Sequence, residues 1–295
     1  MLFRSLSAEP KIYSNDVDYP YRQENDLYYL TSLRQRNAVL VLSKRGGRTS
    51  EFVFVPKPDV ANETWNGHMY TFSEASRLSG VEDVRDAAGW AAFLKTLRQR
   101  TRSGYARIYL LKKISENLDD ADGEREFRRE HTLAKTLNAY KIEDAGPIFA
   151  ELRQVKSPYE QRMLQHAVDI SVEAHERSWL AAGGVSMEYE LQAVAESVFR
   201  RRNADFWGYP SIVGCGANAT TLHYEESQSP VRPGDLCLMD VGAEYEHYSA
   251  DVTRTFPVNG KLTKEQAEIY QIVYDAQEAV AKAARPCVIL FQLDK

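Results

Sequence analysis

Cysteine is scarce: three occur in 295 residues (Cys215, Cys237, Cys287), an odd number with no CxxC spacing. That excludes a disulfide framework and a cysteine zinc site, and it predicts a reducing, cytoplasmic compartment. Basic excess is also missing. Lys and Arg number 37 against 42 Asp and Glu, so the formal net charge is −5. With no surplus of positive charge to neutralise phosphates, nucleic acid is not an expected partner. No run approaches the roughly 18–20 apolar residues of a membrane span, so no membrane partner is expected either. The start, Met1-Leu2-Phe3-Arg4-Ser5, lacks the apolar core of a signal peptide. Fixed-period repeats and low-complexity segments are absent. So are a GxSxG nucleophile elbow and a GK[ST] phosphate loop. Two Asn-x-Thr sequons, at Asn62 and Asn218, then read as chance matches.

What is present is ordinary for a globular protein: 43% hydrophobic and 27% charged residues. The length predicts two domains, at about 150 residues each. The first, 1–150, reads as alternating strands and helices, an α/β (α+β) pattern. Residues 38–43 and 51–55 are β-branched runs, joined through Gly46-Gly47 as a hairpin. Trp90, Phe93, Leu94 and Leu97 have helical spacing, and residues 107–111 read as a strand. Residues 115–130 are highly charged and read as a solvated loop or helix face.

The second domain, 151–295, opens on Ser157-Pro158-Tyr159-Glu160, a capping box with Pro at the first helical position. A long helix should follow, stopped at Gly183-Gly184, then a second helix over 187–201. Strands are predicted at 211–213, 236–241 and 248–258. A second capping box, Thr263 to Gln266, predicts a helix to about Arg285.

Asp240 and Asp251 are the residues most able to carry chemistry. By the period-2 rule Asp240 shares a strand face with Leu236 and Leu238. A carboxylate there is costly unless it is paired or coordinating. Asp251 falls on the expected neighbouring strand. At about 5 Å and an effective dielectric near 20, the two would repel by roughly 3 kcal/mol. A divalent cation with a taste for oxygen would relieve this. The alternative is that each caps a turn or pairs with an arginine such as Arg254. His223 could move a proton or donate to a carbonyl, or be an ordinary exposed histidine. His247 lies in a polar turn, where the ordinary role is the stronger reading.

Several stretches together resemble aminopeptidase P, within the creatinase/prolidase/methionine aminopeptidase superfamily of M24-type metallopeptidases. They are GCGANATTLHY (214–224), MDVGAEYEHYSADVTRTFPVNG (239–260), VKSPYE (155–160), DYPYRQENDLYYL (18–30) and FVPKP (54–58). The resemblance implies a mixed-sheet N-terminal domain followed by a pita-bread domain. It implies two metal ions, usually Mn²⁺, with Asp240 and Asp251 as ligands and His223 contacting substrate and assisting proton transfer. The implied reaction releases the N-terminal residue from peptides with proline at the second position, by attack of a metal-bound hydroxide. It is also compatible with a homo-oligomer. The sequence departs from the family after Arg285: one His and two Glu ligands and the HxxGHxxG-type segment have no match. The expectation is a chain truncated at its C-terminus, with half a pita-bread and little activity alone. A non-catalytic peptide- or partner-binding protein and a prolidase remain the alternatives.

Overall fold

A computed structural model describes residues 1–99, 107–111, 128–137 and 139–293. The chain divides into two compact units, Met1–Val155 and Lys156–Lys295.

In the first unit, six strands form one mixed sheet: β1 (Leu2–Leu6), β4 (Val39–Arg45), β5 (Arg48–Val55), β6 (Val84–Asp86), β7 (Arg107–Leu110) and β8 (Lys141–Asp144). A separate hairpin, β2 (Ile12–Ser14) and β3 (Val17–Asp18), stands outside it. The order across the sheet is β6-β5-β4-β1-β7-β8. β4 and β5 form the predicted hairpin, with Arg45 opposite Arg48. Gly46 and Gly47 both have positive φ, the conformation that this two-residue turn demands.

Among the described residues the unit's helices are α1 (Asn25–Thr31), α2 (Val60–Asn66), α3 (Phe72–Ser79), α4 (Trp90–Gln99), α5 (Arg128–Thr136) and α6 (Gly146–Gln154). β4 explains why its sequence is apolar without alternation. Val39 and Val41 pack with Leu97 of α4 and Leu133 of α5, while Leu40 packs with Leu27 of α1 and Ala75 of α3. Both faces of the strand are covered at this end, so Val39, Leu40 and Val41 are all buried, while Lys44 and Arg45 at the far end are exposed. The charged stretch at 115–130 lies outside the described residues as far as position 127. Its last residues differ from expectation: α5 begins at Arg128, and Glu130 is buried rather than solvated.

In the second unit, α7 (Pro158–Ala181) and α8 (Glu188–Arg201) pack on strands β10 (Ile212–Cys215), β11 (Leu236–Val241) and β14 (Val252–Pro257), ordered β10-β11-β14. A second small sheet holds β9 (Phe206–Trp207), β12 (Ala243–Tyr245) and β13 (Tyr248–Ser249). The capping box forms as read: the Ser157 N–H donates to Glu160 at 2.7 Å, and the Glu160 N–H donates back to Ser157 Oγ at 3.3 Å. Glu160 also accepts from the Tyr248 hydroxyl at 3.0 Å, which ties α7 to β13.

The core sits between the helices and the inward face of β11: Ile170, Ala174, Leu191 and Val198 against Cys237, Met239 and Val241. Residues 248–258 form two strands rather than one, because the chain leaves β12's sheet at Ser249 and joins β11 at Val252. The last helices are α9 (Lys264–Ala283), which has no buried residue, and α10 (Leu290–Leu293).

Candidate functional site

β11 alternates between buried and half-buried positions. Cys237, Met239 and Val241 point into the core; Leu236, Leu238 and Asp240 take the other face. β14 runs antiparallel, with Asp240 opposite Thr253 and Val241 opposite Val252. Asp251 immediately precedes β14, two residues from Thr253, and so returns to the face that carries Asp240. The two aspartates meet at Tyr209. Its hydroxyl donates to Asp240 Oδ1 in a short hydrogen bond and lies 3.4 Å from Asp251 Oδ1. Burial first, then the hydrogen bond and negative charge of Asp240 and the charge of Asp251, push the Tyr209 hydroxyl well above the usual phenol range. Tyr209 therefore stays protonated and remains a donor.

Gly242 makes this geometry possible. A Cβ at that position would lie 1.9 Å from the carbonyl oxygen of Ala250, so only glycine allows the strand leaving Asp240 to pass so close to the strand entering Asp251. Behind β14, the His175 Nε2 bonds the Val252 carbonyl at 2.9 Å. That contact makes Nε2 the protonated nitrogen, while burial holds the imidazole below its usual pKa and neutral. Arg254 is not the aspartates' partner; its guanidinium donates to the Thr253 carbonyl at 2.7 Å.

The structure thus brings Asp240 and Asp251 together. His223 lies on the exposed segment after a 3-10 turn at Gly216–Thr220, and among the described residues no hydrogen bond or ion pair joins it to either aspartate. His247 occupies the β12–β13 turn at positive φ. Tyr209 escaped the sequence reading. Its only signal is indirect: it precedes by three residues Ile212, which stands opposite Asp240.

Residues 162–295 match metallopeptidase family M24, and residues 3–105 match the aminopeptidase P N-terminal domain. The chain is 34% identical to the Xaa-Pro aminopeptidase of Haemophilus influenzae, with 92% of this chain and 60% of that protein covered. It is likewise 34% identical to the Xaa-Pro aminopeptidase of Escherichia coli, covering 95% of this chain and 64% of that one. The fold superposes on a putative aminopeptidase P from Bacillus anthracis with a TM-score of 0.90 at 25% identity, covering 99% of this chain and 69% of that chain. Over nearly its whole length the chain is similar to aminopeptidase P, of metallopeptidase family M24.

Its mixed α/β architecture is the family's, with a pita-bread type second unit. It spans about three fifths of the length of the curated relatives, 60% and 64% in the two cases above. The match to metallopeptidase family M24 implies a divalent metal cofactor. The donor set agrees with that in part. Two carboxylates on one face supply the hard oxygen ligands that such ions prefer. Among the described residues, no group of three or more His, Cys, Asp or Glu side chains could hold a metal ion. Asp240 and Asp251 are thus a pair of oxygen donors, with no third such side chain grouped with them among the described residues.

Proposed function

We propose that this polypeptide is a metal-dependent aminopeptidase releasing the N-terminal residue from peptides with proline at the second position. The observation that carries the reading is the pair Asp240 and Asp251, joined through Tyr209 on one sheet face, in a chain that matches family M24. The two carboxylates would hold the metal, with manganese the proposed ion. When bound, such an ion supplies an activated water and polarises the scissile carbonyl. Tyr209 holds its proton and fixes the Asp240 carboxylate by donating to it. His223, exposed on its loop, is assigned to the substrate, contacting the carbonyl before proline and moving a proton there.

With two carboxylates, the 295-residue chain is proposed to bind Mn²⁺ weakly and turn over slowly. The test is release of the first residue from an Xaa-Pro-Pro peptide by the purified chain, with and without Mn²⁺, alongside calorimetric titration of the metal. Manganese-dependent release that Asp240→Ala abolishes supports the reading. Release that ignores both the metal and that substitution overturns it, and tight binding of two ions overturns the weak-site expectation.

A second reading, a peptide-binding protein without chemistry, draws support from the missing third ligand among the described residues. A folded chain that binds the peptide without cleaving it would favour that reading. Preference for a dipeptide over longer peptides would favour a prolidase.

A further inference from the structure

Glu188 opens α8 and is fully buried, yet the chemistry above makes no use of it. Four donors surround its carboxylate. Oε1 accepts from the Cys215 backbone N–H at 2.8 Å and from Asn218 Nδ2 at 3.1 Å. Oε2 accepts from the Tyr224 hydroxyl at 2.8 Å and from the Ser229 backbone N–H at 2.9 Å. Asn218 Nδ2 also donates to the Tyr224 hydroxyl at 3.0 Å, closing the network. No cation is among these partners. The charge is met by N–H and O–H donors and by the positive end of α8, which is how a carboxylate tolerates burial.

All four donors come from a single stretch of chain, 215–229. Its middle carries His223, next in sequence to Tyr224. Leu222 and His223 are exposed while Tyr224 is buried, so the chain dips inward one residue after the histidine. The same stretch is closed from the other side. The 3-10 turn folds back so tightly that a Cβ on Gly214 would lie 2.8 Å from the Asn218 carbonyl oxygen. The Ser229 carbonyl accepts from the Glu188 N–H at 3.1 Å. The loop is thus anchored before, beside and after His223 on one side chain.

We propose that Glu188 is the positioning residue for His223. Through Asn218 and Tyr224 it fixes the backbone from which the imidazole reaches a peptide substrate. The proposal rests on the role given to His223 above.

The test compares Glu188→Gln, Tyr224→Phe, His223→Ala and the double variant Glu188→Gln/His223→Ala. Glutamine keeps the size of glutamate, but its amide nitrogen cannot accept, so at least one buried N–H loses its partner. Tyr224→Phe removes one donor and adds no group, which covers the case in which the first variant folds poorly. Two readouts are taken: amide hydrogen exchange across 216–226, and Mn²⁺-dependent release from an Xaa-Pro-Pro peptide resolved into kcat and KM.

Expected is exchange at least about tenfold faster in that segment, with α8 and β11 still protected. Expected too is a kcat about ten- to a hundredfold lower, as misplacement of a reacting group produces. The loss should vanish in the His223→Ala background, because Glu188 then has nothing to position. Unchanged exchange in both Glu188→Gln and Tyr224→Phe overturns the proposal. So does an equal loss of kcat with and without His223, the mark of a purely structural role. Turnover lost in His223→Ala but kept in Glu188→Gln sinks this proposal and spares the reading of His223. Turnover kept in His223→Ala, or absent in the unmodified chain, sinks both.

Discussion

Glu24 shows how one carboxyl can register pH in the first unit. It caps α1, accepting from the backbone N–H groups of Asp26 at 3.0 Å and Leu27 at 2.7 Å. Burial dominates these favourable bonds, and its pKa is pushed up to about 7. The folded chain therefore holds a proton that the unfolded chain, with a glutamate near 4.5, has released. Stability must fall as pH rises from about 4.5 to about 7 and then level off, by on the order of 3 kcal/mol from this group. Urea unfolding of wild type and Glu24→Gln at about pH 5 and about pH 7.5 checks this. The difference in stability between the two should shrink toward or past zero at the higher pH. Parallel pH profiles would count against a buried, protonated Glu24.

At the scale of elements, the passage from β11 to β12 is the tightest joint near the candidate site. Gly242→Ala must force apart the strand ends that carry Asp240 and Asp251, since its Cβ would meet the Ala250 carbonyl at 1.9 Å. We expect a loss of about 1–3 kcal/mol in urea unfolding, with weaker Mn²⁺ binding. An alanine variant as stable as wild type would contradict the close approach.

Element by element, the sequence was legible where the signal is local. The Gly46-Gly47 turn, the Ser157 and Thr263 capping boxes and the period-2 face of Asp240 all announce themselves within a few residues. The break between Ser249 and Val252 was not legible, because it depends on which of two sheets the chain joins. Tyr209 and Glu188 stayed hidden for a similar reason. Each acts on residues more than 25 positions away, at Asp240 and at Cys215 to Ser229. Glu188 in the first turn of a helix looks like an ordinary dipole-favoured acid until its four partners are known.

At the scale of the whole molecule, α9 stands out as a helix without a covered face. Ile269, Ile272, Val273, Tyr274 and Val280 recur at helical spacing and are all exposed, in a helix with no buried residue. Contiguous apolar surface of this kind promotes association. Sedimentation velocity on the 295-residue chain should therefore show mass rising with concentration. Replacing Ile272 and Val273 together with lysine should return it to monomer without loss of helical circular dichroism. A wild-type chain that stays monomeric at high concentration would argue that this face is quiet.

The position of β1 carries a consequence for biosynthesis. Leu2–Leu6 lie in the middle of the six-stranded sheet, antiparallel to β4 and parallel to β7. A nascent chain therefore makes its central strand before either neighbour. One flank waits for residues 39–45 and the other for residues 107–110. Until residues 107–110 have left the ribosome, at some 5–20 residues per second, this apolar strand has an open edge, the kind of surface that chaperones guard. Nonlocal closure of this sort is slow to form. A bulky fusion placed directly before Leu2 would sit at the sheet's centre rather than its rim.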